Sequence, residues 1–446
     1  MILCTQVQIV LEYIKILERG GIKMDNIKSK TEICFKEICE HLENGIISFW
    51  LKNGIDTECG GYLTSYNSKG KVMTDTDKYI IIQTRMIWGL SSLYRIFPDN
   101  KDLLREAKQG VEFFIKNFYD NEYGGWFWKT KRDGEVIDDG KVVYGQGFAI
   151  YALAEYTLAT GDPIGLEYAE KTFDLLQKFC TDTYHGGYYE NLERDWSISE
   201  PGFAAGDRKS LDIHMHLLEA FSTLALCTQK EIHKRKLKEV IDIILDKMVN
   251  KEIGCGMNQF DLSFNPIPAI NIRRTWNAER KTGVTVEKPT DTTSYGHNLE
   301  MIWLLNRAGE ILNLSHNYFN GVNLKLVEHS LKYGFDHELG GVYRDGLSNG
   351  PALVTDKEWW QNCEALVGYL DAYESFGDIK YFEAFYKTWD FDKKYLIDEK
   401  LGEWYQLVDK YGKIISDDVG NPWKAIYHTG RAMMECRLRL IKILNK

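Results

Sequence analysis

The heptapeptide Asp120-Asn-Glu-Tyr-Gly-Gly-Trp126 decides the fold, because the chain repeats it. Clear copies begin at Asp56, Asp182 and Asp336, and weaker copies begin at Asn250 and Asp398. Successive copies lie roughly sixty residues apart, with one longer interval between the fourth and the fifth, and a period of this size is typical of repeat architectures. One structural unit therefore occurs six times.

Every unit has the same internal order. A helical pattern precedes the motif, and a short aromatic-rich hairpin and a second helix follow it. The paired glycines let the backbone turn sharply out of a helix, and alternating aromatics suit a short strand. Clear preceding helices are Leu103–Phe118, Leu166–Phe179, Leu237–Met248 and Tyr381–Tyr395, and the second helices begin near Ile80, Gly145, Leu211, Tyr295, Glu358 and Lys424.

Twelve helices in six hairpins predict an all-α (α/α)6 barrel, with the second helices inside and short β-hairpins at one end. An open superhelical solenoid is the alternative. Closure is favoured because residues 423–444 predict a final helix able to pair with the first, around Ile33–Trp50. We expect residues 25–446 to form a single domain and residues 1–24 to be a poorly ordered extension.

Composition excludes several functional classes. The formal net charge of −10 argues against binding a phosphate backbone, which needs a concentrated basic surface. No apolar run approaches the ~20 residues that span a bilayer. Nine cysteines without a Cys-x-x-Cys pair predict reduced thiols and a cytoplasmic location. We expect a monomer or weak homodimer.

Polar residues open each second helix ahead of its apolar body. In a six-hairpin barrel these openings converge on one end of the central cavity. They are Arg85, Gln146, His214 with His216, His297 with Glu300, Trp359 with Trp360 and Glu364, and Tyr427 with His428 and Arg431. Because His214 and His216 are two residues apart on a helix, only one can face the cavity, and we expect it to be His216.

A metal or cofactor is not expected. The His-Glu-x-x-His pattern is absent, and His297 with Glu300 supplies only two of the three or four ligands that a zinc site needs. No glycine-rich phosphate loop occurs either.

The longest interval contains residues 258–293, which have no helical period. This insertion carries Arg273, Arg274, Trp276 and Arg280. Long segments of this kind inside a compact domain are usually functional or mobile. We therefore expect a lid over the barrel mouth, with Trp276 meeting the substrate.

Five segments, in order, resemble the N-acylglucosamine 2-epimerase superfamily, within which they are most similar to cellobiose 2-epimerases and the related mannose epimerases and isomerases. The segments are Gln83-Thr-Arg85-Met-Ile-Trp88, His214-Met-His216-Leu-Leu-Glu219-Ala, Ser294-Tyr-Gly-His297-Asn-Leu-Glu300, Trp359-Trp360-Gln-Asn-Cys-Glu364-Ala and Pro422-Trp-Lys-Ala-Ile-Tyr427-His428-Thr-Gly-Arg431. The segment Tyr144-Gly-Gln146-Gly departs from the Asn-containing form of the cellobiose enzymes, and the insertion is not typical of them. Both departures concern the substrate rather than the chemistry.

The resemblance implies a role for each matching residue. His297 and His428 would be the acid/base pair, His216 and Arg85 would stabilise an enediolate, and Glu300 would support His297. The matching tryptophans, Trp359, Trp360 and Trp423, would hold the sugar. The polar groups at the helix starts, Gln146, Glu364 and Tyr427, and Trp276 of the insertion complete the expected substrate-binding set.

Inversion at C2 of an aldose needs two bases on opposite faces, and histidine, with a pKa near ~6.5, suits both tasks. The same machinery isomerises an aldose to a ketose if the proton returns to C1. A glycoside hydrolase using Glu300 and Glu364 is the alternative from another class, and a binding protein without catalysis is a third.

Overall fold

The computed structural model describes residues 27–70, 75–270, 272–274 and 292–445. Trp276 and Arg280, most of the second half of the insertion, and residues 1–26 lie outside these ranges. None of the helices within them combines the length and hydropathy of a transmembrane span.

Helices alternate along the chain between an outer and an inner ring. The outer helices are α1 (residues 27–53), α3 (Lys101–Phe118), α5 (Pro163–Leu175), α7 (Glu231–Ile243), α9 (Asn320–His329) and α11 (Ile379–Phe391). The inner helices are α2 (Ile80–Ile96), α4 (Val143–Thr160), α6 (Leu211–Thr228), α8 (Tyr295–Ile311), α10 (Trp359–Phe376) and α12 (Ile426–Leu444). The predicted inner-helix starts agree with these to within two residues.

Several outer helices contain a π-helical segment. It lies within α1 at His41–Ile47 and continues α5, α7, α9 and α11 at Leu176–Cys180, Ile244–Met248, Ser330–Gly334 and Asp392–Leu396.

The inner ring is closed. Each inner helix packs against two inner neighbours, in the order α2, α4, α6, α8, α10, α12 and back to α2, and α12 also packs against α1. The prediction of an (α/α)6 barrel is confirmed, and the open solenoid is excluded. Inner helices are buried on most sides, as their apolar bodies predict.

Short strands join consecutive units at one end of the barrel. The strands are β1 (Lys78–Tyr79), β2 (Lys129–Thr130), β3 (Val136–Asp138), β4 (Lys141–Val142), β5 (Asn191–Leu192), β6 (Arg208–Ser210), β7 (Val249–Asn250), β8 (Cys255–Gly256), β9 (Gln259–Asp261), β10 (Thr292–Ser294), β11 (Asp345–Leu347), β12 (Ala352–Val354), β13 (Lys357–Glu358), β14 (Leu407–Val408) and β15 (Ile414–Ser416). Their sheets are β1-β2-β3, β4-β5, β6-β9, β7-β8, β10-β11-β12 and β13-β14-β15. All pairings are antiparallel. A bridge between Tyr66 and Gly420 joins the last unit to the first.

The first residue of the motif anchors the start of the next inner helix. The Asp120 carboxylate accepts from Lys141 Nζ at 2.9 Å, two residues before α4, and both side chains are buried. The same buried pair recurs as Asp56–Lys78, Asp182–Lys209 and Asp336–Lys357. The weak motif copies lack it: the fourth unit has Asn250 and Thr293 at these positions, and Lys424 bonds Glu403 instead.

The fourth residue of each inner helix holds the end of the motif. The Trp126 N–H donates to Gln146 Oε1 at 3.0 Å, and Gln146 Nε2 donates back to the Trp126 carbonyl at 2.8 Å. Gln83, His214, Asn298 and Asn362 accept from the equivalent backbone N–H groups, and Thr429 acts through Glu403. The motif hairpins are thus fixed to the N-termini of the inner helices.

The backbone conformation of the motif requires glycine. Gly124 and Gly125 have φ of 73° and 69°, a region that favours glycine. A Cβ on Gly340 would lie 2.2 Å from the Lys387 carbonyl oxygen, so larger residues cannot replace this glycine without moving α11.

Candidate active site

Six inner helices each contribute one side chain to the hairpin end of the barrel axis. In chain order these are Arg85, Tyr144, His216, His297, Trp360 and His428. Consecutive members contact each other, except that His216 and His297 meet through Asp212. His214, two residues from His216, points the other way, toward the motif hairpin, and accepts a hydrogen bond from the Tyr188 N–H. The sequence prediction that only His216 of this pair faces the cavity therefore agrees with the geometry.

One guanidinium lies beneath these groups. Arg431 donates to the carboxylates of Glu219 and Glu300 and to Glu364 Oε1, the last at 2.7 Å. All four side chains are buried, and a buried charge is tolerated only when it is paired. The carboxylates are therefore fixed in place, one from each of α6, α8 and α10.

His428 is held by this cluster. Its Nδ1 lies 2.8 Å from Glu364 Oε1. Burial lowers the pKa of His428 well below 6.5, and the nearby positive charges of Arg85 and Arg431 lower it further. Burial and the repulsion of Glu300 raise the pKa of Glu364, against the attraction of Arg431. His428 is consequently a neutral imidazole near pH 7.

His297 has the opposite protonation preference. Its Nε2 lies 3.4 Å from Asp212 Oδ1, and the same oxygen lies 3.2 Å from Nε2 of His216. Burial disfavours the charged form of His297, but the hydrogen bond and negative charge of Asp212 outweigh it and raise the pKa above 6.5. Asp212 and Glu219 likewise overcome burial and raise the pKa of His216 to about 9.

The Trp360 indole lies against both candidate acid/base residues. Its ring centroid is 4.7 Å from that of His297 and 5.7 Å from that of His428. Trp360 Nε1 donates to Glu358 at 2.9 Å, and Arg344 lies 3.3 Å from the same carboxylate oxygen. The indole is half-buried, which leaves part of its face available to a ligand.

Arg85 lies on the other side of the cavity. Its Nη2 donates to the Tyr144 hydroxyl at 3.0 Å, and its Nη1 donates to the Trp423 carbonyl. The guanidinium also sits over the rings of Phe148 and Tyr427, 4.8 and 4.9 Å from their centroids. These contacts fix a positive charge beside the cavity.

Glu300, Glu364 and His428 offer ligand atoms within 4.8 Å of one another, a spacing compatible with a metal ion. Arg431 donates to both carboxylates, so a guanidinium already provides the positive charge that this group of acceptors requires. The arrangement fits an internal cation better than a bound one.

The structure brings the expected catalytic residues to one end of the barrel, with one difference in contacts. Glu300 was expected to support His297, but it bonds Arg431, and the carboxylate in contact with His297 is that of Asp212. Glu300 influences His297 through its charge, which helps to raise the histidine's pKa.

The members of the expected substrate-binding set differ in their exposure. Trp360 and Trp423 are half-buried at the cavity. Glu364 and Tyr427 have no exposed surface, and their contacts are internal: Glu364 bonds His428, and Tyr427 donates to Glu219 at 2.6 Å. Trp276 lies outside the described residues.

Gln146 and Trp359 are also buried. Both ends of the Gln146 amide are used by the backbone of Trp126, so the hydrogen bonds of Gln146 hold the hairpin. Trp359 is 2% exposed and packs beneath the cavity, with its ring 6.4 Å from that of His428.

Asp212 and the central role of Arg431 were missed by sequence reasoning. Asp212 precedes His216 by four residues, a spacing that places two side chains on one helix face. The contact between Asp212 and His216 could therefore have been predicted. The contact between Asp212 and His297 could not, because His297 lies on another helix.

Two arginines in the middle of the insertion bind residues of earlier units. Buried Arg274 donates to both carboxylate oxygens of Asp138, through Nε at 3.0 and 3.1 Å and Nη2 at 2.6 Å, and the Arg273 N–H donates to the Phe203 carbonyl at 2.9 Å. A Cβ on Gly140 would lie 2.1 Å from the Arg274 guanidinium carbon. The insertion thus leaves β9 and reaches the hairpin that carries β3.

Comparison with known proteins places this geometry in context. The sequence profile of the N-acylglucosamine 2-epimerase family matches residues 61–432. A cellobiose 2-epimerase from Ruminococcus albus is 31% identical over 422 residues, 91% of this chain and 99% of the relative. A D-mannose isomerase from Marinomonas mediterranea is 22% identical, over 89% of this chain and 95% of that protein. The structure of a cellobiose 2-epimerase from Bacillus thermoamylovorans superposes with a TM-score of 0.81 at 26% identity, over 92% of this chain and all of that one.

Proposed function

The chain belongs to the N-acylglucosamine 2-epimerase family, and from this premise we propose that it inverts C2 of the reducing-end aldose of a β-1,4 disaccharide such as cellobiose. Membership makes it an enzyme of the isomerase class that acts on a carbohydrate. The choice of a disaccharide follows the cellobiose 2-epimerases to which the chain is similar.

One observation carries the proposal. Two imidazoles of opposite protonation preference, His297 and His428, contact the same half-buried indole of Trp360. A sugar ring stacked at that indole would lie within reach of a proton donor and a proton acceptor together. Epimerisation needs this combination, because the proton leaves one face of C2 and returns to the other.

The reaction begins with the open-chain aldose, in which the C1 carbonyl acidifies the proton on C2. With Nδ1 protonated toward Glu364, His428 presents the lone pair of Nε2 and accepts this proton. The C2–H bond electrons move into C1–C2, and O1 takes the negative charge of the enediolate. His297 then donates a proton to the opposite face of C2, the C1 carbonyl re-forms, and the two histidines have exchanged protonation states.

Positive charge beside the cavity stabilises the intermediate. His216 is held as an imidazolium by Asp212 and Glu219, and Arg85 is fixed over two aromatic faces. Preorganised donors of this kind stabilise developing oxyanions more than bulk water does. In the reverse direction His297 is the base and His428 the acid, so one site serves both epimers.

Aldose–ketose isomerisation is the second candidate, favoured by the similarity to the D-mannose isomerase. It uses the same deprotonation and differs only in returning the proton to C1. The geometry speaks against a glycoside hydrolase, because Glu300 and Glu364 share one guanidinium and are fully buried. Hydrolase carboxylates instead flank the scissile bond, about 5–9.5 Å apart.

Proton NMR in deuterium oxide tests the proposal. With cellobiose we expect loss of the C2 proton signal of the reducing-end unit and growth of a signal from its 2-epimer. Mannose is supplied in a parallel sample, and an H297A/H428A double variant is the control. A ketose product would indicate the isomerase, bond cleavage a hydrolase, and no exchange with any aldose would contradict an epimerase.

A further inference from the structure

We propose that Asp212 is a positioning residue that keeps His297 protonated in the empty site, so that His297 and His428 begin each turnover in different protonation states. The catalytic consequence rests on the proposed function, whereas the link between Asp212 and His297 does not. Neither the family resemblance nor the sequence motifs had assigned a role to Asp212.

The Asp212 carboxylate lies between helices α6 and α8. It is the second residue of α6, and its Oδ1 lies 3.2 Å from His216 Nε2 on the same helix and 3.4 Å from His297 Nε2 on α8. One carboxylate oxygen facing two ring nitrogens is satisfied only if those nitrogens carry protons, because a carboxylate accepts and cannot donate. The contact therefore places a proton on His297 Nε2, and the negative charge of Asp212 beside the ring favours the imidazolium over the neutral form.

This proton lies at the edge of the cavity. The Asp212 side chain is 36% exposed and that of His297 16% exposed, whereas Glu300 and Glu364 have no exposed surface. The Nε2 proton of His297 is thus held at the side from which a substrate would enter. A ligand at the Trp360 indole could receive it without displacing any of the buried carboxylates.

Other charged groups around His297 are already committed. Glu300, on the same helix, and Glu364 on α10 bond Arg431 of α12, and Glu219 on α6 bonds Arg431 and His216. The positive groups nearby are His216 and Arg85 of α2. The neutral imidazole of His428 lies on α12, and Tyr144 faces Asp212 from α4. Among these, Asp212 supplies the direct carboxylate contact to His297.

A simpler role must be separated from this one. An acidic residue in the first turn of a helix stabilises the helix through its dipole. Asp102 holds the same second position in α3 but is 58% exposed and pairs with Arg105 three residues on. D102N is therefore the matched control for D212N: both replace a first-turn carboxylate by an isosteric amide, and only one faces the histidines.

Titration of the imidazole rings is the first test, and it needs no turnover. Full-length protein with isotope-labelled histidine is titrated by NMR, and the His297 signal is assigned from its absence in H297Q. We expect the pKa of His297 to lie above 6.5 in the wild type and in D102N, and to fall by one unit or more in D212N, because a lost negative charge no longer favours the imidazolium. An unchanged His297 titration in folded D212N would overturn the proposal.

The dependence of kcat/KM on pH is the second test. Activity needs His428 neutral and His297 charged, so it falls at alkaline pH as His297 loses its proton. In D212N we expect this alkaline limb to move at least one unit toward lower pH, while the acid limb, set by His428, stays in place. A uniform loss at every pH with unmoved limbs would assign Asp212 to substrate contact or folding and would contradict the proposal.

The two tests separate the failure of this inference from that of the proposed function. If the wild type exchanges the C2 proton of no aldose, the epimerase assignment fails, and the ring titrations still decide whether Asp212 controls His297. If turnover is normal and the His297 pKa is insensitive to D212N, only the inference fails.

Discussion

At the scale of single residues, Arg431 sets the layout of the site. Its guanidinium joins carboxylates from three inner helices, Glu219, Glu300 and Glu364, and Glu364 in turn orients His428. Removing one member of such a buried network leaves an uncompensated charge, which typically costs about 3–5 kcal/mol. The position of His428 therefore depends on a buried charge cluster.

The same guanidinium leads to a prediction about metals. Because Arg431 already bonds the two carboxylates of the Glu300–Glu364–His428 group, we expect kcat with cellobiose to be unchanged, within about twofold, after dialysis against EDTA. Rates are measured before and after chelation and after adding back zinc, manganese or magnesium. Loss on chelation that one ion restores would show that a metal is required.

The two histidines give a direct test of the two-base reaction. We expect H297A and H428A each to lower kcat for C2 inversion by at least about 100-fold, the scale of general acid–base catalysis. Circular dichroism should be unchanged, because both residues lie in first turns rather than in apolar helix bodies. H316A, at an exposed position, is the control, and near-normal turnover in either site variant would rule out the mechanism.

At the scale of elements, four of the six motif hairpins are attached twice to the next inner helix. The motif aspartate binds a lysine two residues before the helix, and the fourth helical residue binds the end of the motif. Both contacts are buried, so the hairpin cannot shift without breaking one of them. The N-termini of the inner helices, and the active-site residues on them, are positioned by this repeated attachment.

Breaking one attachment should destabilise the whole protein. Lys357 donates to Asp336 and to the Gly340 carbonyl, each at 2.7 Å, and is fully buried. K357M leaves the Asp336 charge buried without this partner, and we expect the free energy of unfolding in urea to fall by about 3–5 kcal/mol. K332M, an exposed lysine in the same unit, should change it by less than about 0.5 kcal/mol.

The insertion is a further element with its own prediction. The contact between Arg274 and Asp138 fixes the middle of the insertion at the hairpin of another unit. This supports a position of the insertion near the mouth of the barrel. We expect that replacing residues 265–287 by a short Gly-Ser linker will change the ratio of kcat/KM for mannose to that for cellobiose by more than tenfold, about 1.4 kcal/mol of differential transition-state binding.

R274M, which keeps the length of the insertion and removes its anchor, is the companion variant. An unchanged ratio in a folded linker variant would show that the insertion does not select the substrate. Specificity would then have to be sought at Gln146 and the tryptophans.

At the scale of the whole molecule, the closed ring makes the six units interdependent. Every inner helix has an inner neighbour on each side, and the charge cluster around Arg431 joins α6, α8, α10 and α12. We therefore expect one cooperative unfolding transition, with tryptophan fluorescence and far-ultraviolet circular dichroism giving the same midpoint in urea. Two separated midpoints would contradict a single domain over residues 25–446.

Much of this arrangement could be predicted from the sequence, and the residues show why. The motif glycines mark backbone positions with positive φ, which local sequence reports directly. The starts of α2, α6 and α8 were predicted to the residue because a polar-to-apolar change marks them. The partners of Gln146 and Tyr427, the hairpin backbone and Glu219, could not be predicted, since a polar side chain at a helix start can turn toward either the hairpin or the cavity.

The sequence by itself determined the repeat, the alternation of inner and outer helices, and the end of the barrel where His216, His297 and His428 meet. These follow from periodicity and local chain geometry. Only the tertiary structure decided how the charged groups pair. Asp212 contacts His297, Glu364 contacts His428, and Glu300 accepts from Arg431. Such pairings join residues on different helices, and their distances depend on how a closed ring rotates each helix about its own axis, which no local pattern encodes.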